Sequence, residues 1–405
     1  MHLLLFARGL VVAVLMAAAL LMLKRMGWSN MWASVATAVL ALPFAARYPM
    51  TWLAERLTGK KWIVLAQMAF AAMMCGVGMS ISPNGGGWLA CIFLLVAAVV
   101  GAFHDVAADG YCRRWLAGGE MKRLATGLVA LMLAVVFGMG TMLIVAGDME
   151  VMLRESQDSW GMAFMLMAAL MGVVALACAW RLPEKDKMAV YQTAVCRREE
   201  LLQWWQRPGQ WVVAAFWILF PLHEWMLWEG TLMFLSDPGS IGGLSLGPQE
   251  VGFVQAIVGT FALIAGACVG CWCLRCYGLG KCLWPMVAAA TLPDALLLLL
   301  ALTMPENMWY ICACLMVESA GCGFGLAGFM ACMMGFGSYR DMKAHTDSCL
   351  MFVALSVVAA GIVTGGLQDY LGYRKFYLIV TILAVAPVMV LPFVRKWLRS
   401  IAVNQ

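Results

Sequence analysis

The chain's 405 residues are 64% hydrophobic and only 12% charged, and the mean hydropathy is +0.86. Soluble domains of this length keep roughly a quarter of their residues charged, so a water-facing globular domain is excluded. The formal charge of +5 then reads as a signal of membrane topology and not of nucleic-acid binding.

A helix crossing a bilayer needs about 20 mostly apolar residues, because lipid offers the backbone no hydrogen-bond partners. Such stretches lie near 3–22, 30–49, 62–80, 87–112, 122–146, 160–180, 209–235, 249–273, 283–303, 307–337, 347–367 and 374–394. Turn-forming runs separate them, among them Lys24-Arg25-Met26-Gly27, Ser82-Pro83-Asn84-Gly85, Asp237-Pro238-Gly239 and Pro305-Glu306-Asn307. The alternating segments of an outer-membrane barrel are missing from the sequence, so the expected fold is all-α with about twelve transmembrane helices. The first stretch has no basic run before it, and Ala17-Ala18-Ala19 continues into Leu20-Leu21-Met22-Leu23. It is expected to remain as a helix and not to be cleaved as a signal.

Lysine and arginine set the expected orientation. With the N-terminus inside, twenty-one of the chain's 27 basic residues fall in inner loops or the C-terminal tail, among them Arg47, Arg56, Lys60, Lys61, Arg113 and Arg114. The outer loops hold Lys24, Arg25, Arg154, Arg374 and Lys375. Both termini are therefore expected on the cytoplasmic side. Residues 1–180 read as one six-helix bundle, 181–208 as a cytoplasmic linker and 209–405 as a second bundle. Within the linker, Leu201, Leu202, Trp204 and Trp205 are expected to anchor an amphipathic helix at the membrane surface.

The two halves repeat weakly. The loop after the second stretch, Leu53 to Lys61, and the loop after the eighth, Leu274 to Lys281, each place a turn glycine beside a basic cluster. This resembles the loop signature of the major facilitator superfamily. A closer resemblance, to AmpG-type permeases of the peptide and acetyl-CoA transporter branch, rests on segments spread along nearly the whole chain. They are Phe6-Ala7-Arg8-Gly9-Leu10 with Lys24 to Asn30, and Phe103-His104-Asp105-Val106-Ala107-Ala108-Asp109-Gly110. The second half adds Gly280 to Met286, Pro305-Glu306-Asn307, Glu318 to Gly325, and Leu367-Gln368-Asp369-Tyr370-Leu371-Gly372-Tyr373. The resemblance implies a major facilitator fold in a bacterial inner membrane. It further implies proton-coupled import of GlcNAc-anhydro-MurNAc and its peptides by rocking of the halves around a central site. The chain departs from that pattern at Arg8, where the family's first helix carries an acidic residue. It departs again near Pro221 and Glu229, where the seventh carries basic ones.

A charge at the bilayer centre costs on the order of 3 kcal/mol or more, so ionisable residues inside spans are functional candidates. They are Arg8, His104, Asp105, Asp109, His223, Glu224, Glu229, Asp294 and Glu318. Asp105 and Asp109, four apart, share a helix face. Together with Glu318 they are expected in proton coupling or gating. Asp109 is equally readable as a latch to Arg113 or Arg114. His104, about 100° away, reads as a helix-contact hydrogen bonder. Arg8 is expected to face Glu224 across the halves or to hold a substrate carboxylate bidentately. His223, Glu224, Glu229 and the sugar-stacking candidates Trp225 and Trp228 complete the expected substrate set, with Glu229 near enough the outer face for a solvated role. Glu55, Arg56, Arg113 and Arg114 are the expected cytoplasmic latch. Asp294, after Pro293, reads most simply as a helix cap.

Gly321, Gly323 and Gly325 read as helix-packing positions, since no strand precedes them to form a nucleotide fingerprint. The fifteen cysteines follow no zinc spacing, including Cys271, Cys273, Cys276 and Cys282. Neither a metal nor a cofactor beyond the proton gradient is expected. The expected partners are protons, an amino-sugar or muropeptide solute and the bilayer, with the chain a monomer. Two other classes stand beside this one. A membrane-embedded transferase would use Asp105 and Asp109 as acid and base, although short loops leave it little room. A transporter of another anionic solute, or a non-transporting sensor with the same fold, fits the departures at Arg8, Pro221 and Glu229.

Reporter fusions test the orientation. Green fluorescent protein fused after Gln405 should emit, and alkaline phosphatase inserted between Pro83 and Asn84 should be active. The opposite pattern would invert the topology.

Overall fold

Apolar segments in lipid must close their backbone hydrogen bonds internally, and these do so as helices. The computed structural model describes residues 2–57, 59–81, 87–115, 133–153, 156–182, 209–334 and 342–403, with single positions 127, 130 and 206. Among the described residues the membrane-length spans are α1 (His2–Arg25), α2 (Asn30–Ala45 continued by Arg47–Ala54), α3 (Lys60–Ser80) and α4 (Trp88–Cys112). Then come α5 (Leu133–Leu153), α6 (Asp158–Arg181), α7 (Gln210–Ser236) and α8 (Pro248–Tyr277). The last four are α9 (Leu279–Thr303), α10 (Met308–Met333), α11 (His345–Leu371) and α12 (Tyr373–Trp397). The protein is a multi-pass membrane protein, and its described residues form eleven continuous spans and one bent one. The ends of α1 and α12 nearest the termini share one face, here the termini face. The α1–α2 and α11–α12 turns lie on the opposite face.

The spans follow the apolar stretches but run past several of their ends. Thus α5 continues beyond position 146 to Leu153, because Glu150 near its end accepts a hydrogen bond from the indole of Trp160 at 3.0 Å. Hydropathy marks the lipid-facing length of a helix, and polar residues that find partners extend it. The expected starts of α5 near 122 and of the linker helix near 201 lie outside the described residues.

Three local features shape the site. First, α2 bends by 49° at Ala46, whose backbone sits at φ −75°, ψ 41°. Pro49 supplies the cause: it has no N–H for the carbonyl of Ala45, and its ring crowds that carbonyl. The turn tucks Arg47 into the interior, only 3% exposed. Second, π-helical turns interrupt α1 at Val14–Ala18, α5 at Val136–Gly140 and α8 at Gly252–Gly259. The turns of α5 and α8 lie against each other, placing α5 and α8 together across the two halves of the sequence. Third, Pro293 forces a 3-10 turn at Leu292–Asp294 inside α9.

Helix spacing in the second half depends on small residues. A methyl carbon added at Gly323 of α10 would lie 2.0 Å from the Leu263 carbonyl oxygen of α8. At Gly321 it would lie 2.1 Å from the Ala289 carbonyl oxygen of α9. Both neighbours are backbone and cannot rotate away, so α10 is held closely against α8 and α9. Between the halves, α2 runs along α11.

Gly323→Leu should therefore destabilise the fold by about 1–3 kcal/mol or more through overpacking. The check is thermal unfolding of detergent-solubilised protein followed by size-exclusion chromatography.

Candidate functional site

On the termini face, charged side chains from four helices converge. Asp105 and Asp109 project from one face of α4, as their spacing of four requires. Arg8 of α1 donates Nε to Asp105 Oδ1 at 2.7 Å, and its NH1 lies 3.7 Å from Asp109 Oδ1. Arg47, brought in by the α2 bend, reaches three carboxylates at once. Its NH1 meets Asp105 Oδ2 at 2.8 Å, its NH2 meets Asp109 Oδ2 at 3.1 Å, and its Nε meets Asp347 Oδ1 at 2.9 Å. Asp347 belongs to α11, so the guanidinium joins the first six helices to the last six. Tyr48 and Ser348, the next residues on each side, pair their hydroxyls at 2.7 Å. The planar fork of arginine suits this work, because one cation presents several donors in fixed directions.

This arrangement corrects one expectation. Arg8 does not face Glu224; its partners are Asp105 and Asp109 in its own half, since α1 and α4 pack side by side. Asp109 is bound by Arg47 and Arg8. The side chains of Arg113, Arg114 and Glu55 lie outside the described residues. Arg56 is exposed and stacks on the Trp52 ring of its own helix, 3.8 Å from the ring centroid. That is a surface cation–π contact and not a latch. The working arginine is Arg47, which the sequence presents only as one basic residue among many in inner loops. Its usable signal is the Pro49 break beside a charge at a span end. His104 is buried and within 3.1 Å of Gln67 Nε2 on α3, the helix-contact role its direction implies.

A second group lies in the last six helices. His223 Nε2 is 3.5 Å from Glu224 Oε1 and 3.8 Å from Asp294 Oδ2. Glu318 of α10 is 8% exposed and accepts from Ser319 at 3.0 Å. The thiol of Cys322, one turn along α10 from Glu318, lies beside Glu224. The cap role for Asp294 is not observed: its side chain makes no cap hydrogen bond, and it is fully buried beside His223. Trp225 and Trp228 pack on each other with centroids 4.8 Å apart and lean on the hydrophobic core. Glu229 is 1% exposed and not solvated. It accepts from Thr37 of α2 at 2.8 Å, another tie between the halves.

On the opposite face the chain uses a residue that sequence patterning treats as punctuation. Asp237, at the end of α7, receives Lys24 Nζ at 2.7 Å, Asn30 Nδ2 at 2.7 Å and the Tyr373 hydroxyl at 2.5 Å. Asn30 also donates to Gln368, and the Met31 N–H donates to Asp369 at 2.9 Å. Lys24 and Asn30 come from the first hairpin, whereas Gln368, Asp369 and Tyr373 come from the last. The segments that carried the family resemblance at the two ends of the chain thus meet around one carboxylate.

Among the described residues, no group of His, Cys, Asp and Glu side chains is placed to hold a metal ion, and the described cysteines are free thiols.

The fold is the major facilitator fold. No protein-family model matches the chain. The nucleoside transporter NupG, solved as a point mutant, superposes with a TM-score of 0.67 at 14% identity, covering 97% of this chain and 98% of that one. A bacterial homolog of the human lysosomal transporter Spinster, solved inward-facing and unoccupied, superposes with a TM-score of 0.61 at 15% identity, covering 100% and 96%. In sequence, the chain is similar to the anhydromuropeptide permease of Escherichia coli (strain K12). The two are 23% identical over 371 residues, spanning 89% of this chain and 70% of that protein.

Arg47→Ala breaks the ion pair to Asp347 and takes a cation from Asp105 and Asp109, although Arg8 still reaches both. Breaking a buried pair in this way costs about 3–5 kcal/mol, and thermal unfolding in detergent should register a loss of that order. The Arg47–Asp347 double-mutant cycle should return a coupling energy within about 0.5–3 kcal/mol.

Proposed function

We propose that this chain is a secondary transporter that imports cell-wall-derived amino sugars, GlcNAc-anhydro-MurNAc and its peptides, by proton symport and alternating access. The observation that carries the reading is the termini-face network, in which the buried Arg47 and the half-buried Arg8 bind three carboxylates, one of them across the boundary between the halves. The sequence likeness to an anhydromuropeptide permease supports the substrate class, and the fold supports transport.

The chemistry runs as follows. With Asp105 ionised, Arg8 and Arg47 are occupied and the halves are tied at this face through Asp347. A proton on Asp105 cancels its charge and weakens its hold on both guanidiniums, because a charge-assisted hydrogen bond is roughly twice as strong as a neutral one. Arg8, left with the longer contact to Asp109, can then grip the carboxylate of an anionic sugar, and Arg47 loses one of the α4 carboxylates that orient it toward Asp347 across the halves. Loss of the proton inside the cell restores the network and expels the anion. The membrane is a bacterial inner membrane with both termini cytoplasmic, and the working unit is a monomer in two bundles, 1–180 and 209–405.

Uptake of labelled GlcNAc-anhydro-MurNAc by permease-deficient cells tests this. Saturable uptake is expected that an uncoupler abolishes. In Asp105→Asn, uptake should fall about tenfold or more, in line with the roughly 1.5–3 kcal/mol carried by a hydrogen bond to a charged group. Well-inserted protein that imports none of the sugar would overturn the substrate. Uptake indifferent to the uncoupler would overturn the coupling.

A further inference from the structure

The termini-face carboxylates have arginine partners; those of α7, α9 and α10 do not. His223 lies 3.5 Å from Glu224 and 3.8 Å from Asp294, and Glu318 stands on α10 one turn before Gly321, which packs against Ala289 and Pro293 of α9. Among the described residues no lysine or arginine reaches ion-pair distance of any of these carboxylates. Asp294 and His223 are fully buried. Neither carboxylate oxygen of Asp294, nor Glu224 Oε1, nor His223 Nε2 has a hydrogen-bond partner.

The imidazole decides what is missing. His223 Nδ1 lies 3.2 Å from the Leu219 carbonyl oxygen. A carbonyl only accepts, so Nδ1 carries the hydrogen. In a neutral ring Nε2 is then a bare lone pair. That lone pair faces Glu224 Oε1 and Asp294 Oδ2, which as carboxylates also only accept. Four buried acceptors thus face one another without a donor, in a region where an unsatisfied polar group costs several kcal/mol. A metal ion does not answer the deficit, since these side chains are not placed to coordinate one. Hydrogens do: each proton added to a carboxylate turns an acceptor into a donor and removes a negative charge.

We propose that His223, Glu224, Asp294 and Glu318 form a second proton-binding site, lodged between α7, α9 and α10 and separate from the Arg8–Asp105 network. The groups that bear on it are His223 and Glu224 from α7, Asp294 from α9, and Glu318 with the Cys322 thiol from α10. From α12 comes the phenol of Tyr377, near Glu318. Among the described residues, α8 and α11 bring no charged side chain within ion-pair distance. Glu224 and His223 share a helix with Glu229, whose carboxylate is bound to Thr37 of α2, so α7 carries both the proton site and a tie to the first half. The role of this site in coupling rests on the transporter reading above, but its proton occupancy does not.

Infrared spectroscopy of the full chain in lipid nanodiscs is the test, because the carbonyl stretch of a protonated carboxyl group is resolved from the amide bands and needs no substrate. At neutral pH in choline buffer, wild type should show this stretch. Asp294→Asn, Glu224→Gln and Glu318→Gln should each remove part of it, and Asp105→Asn should leave that part in place. Should one of the three variants fail to fold, the other two decide. Absence of the stretch at neutral pH, or a stretch untouched by the three variants, would overturn the proposal. So would its loss when sodium replaces choline, which would make the ligand a metal cation. A stretch that behaves as expected in a chain without uptake leaves this site standing and removes the transport reading. Uncoupler-sensitive uptake without the stretch does the reverse.

Discussion

The constraint on which the rest of this molecule depends is the cost of charge in a low-dielectric interior. A guanidinium or carboxylate removed from water is tolerable only with good partners, and Arg47 obtains three. It reaches them because Pro49 breaks α2 and the bend carries the side chain inward to a point where α4 and α11 both present aspartates. Two of the three carboxylates also meet Arg8, so the charges balance to within one. Because Asp347 comes from the other half, the best-satisfied state of Arg47 exists only when the halves are together at this face. Charge satisfaction and conformation are the same variable here.

The opposite face is held by different means but by the same two helices. Asn30, Ser34 and Thr37 of α2 follow one helix face, and each meets the second half. Asn30 bonds Asp237 and Gln368, Ser34 donates to the Gly361 carbonyl and accepts from the Gly365 N–H, and Thr37 bonds Glu229. At the far end of α2, Arg47 and Tyr48 bond Asp347 and Ser348. α2 and α11 therefore form a seam running from face to face, polar at each end and close-packed in the middle. Any rocking of the halves must open this seam at one end while the other end serves as the pivot. Asp237 is the centre of the opposite end, since donors from the first and the last hairpin of the chain converge on it.

The two halves treat buried carboxylates in contrasting ways. In the first, Asp105 and Asp109 face fixed cations. A change in their ionisation alters an ion pair to Arg8 or Arg47, and Arg47 is the residue that reaches Asp347 in the other half. In the second, among the described residues, Glu224, Asp294 and Glu318 are met by His223, a thiol and hydroxyls, and by no lysine or arginine. In the proposal above their charge state is set by protons, and it would reach the seam through α7. A fold built of two similar six-helix units has thus been given one strongly coupled charged site and one insulated site. This division suits a cycle in which one event moves the halves and another stores a proton.

The amino-acid sequence by itself determined the membrane class, the number of spans and the identity of most of the buried charges. Those properties follow from local quantities: the length of an apolar run, the cost of each polar residue within it, and the spacing that puts Asp105 and Asp109 on one face. The partners were decided only by tertiary structure. Arg8 turned to Asp105 and not to Glu224 because α1 packs on α4. Arg47 became the central cation because a proline bend, unremarkable in sequence, met a helix 300 positions away. Asp237 looked like a turn residue and Asp294 like a cap. Each was drawn into a cluster by helices remote in sequence. A span is specified by its own residues, whereas an ion pair between spans depends on which helices touch and at what depth, and no single segment encodes that.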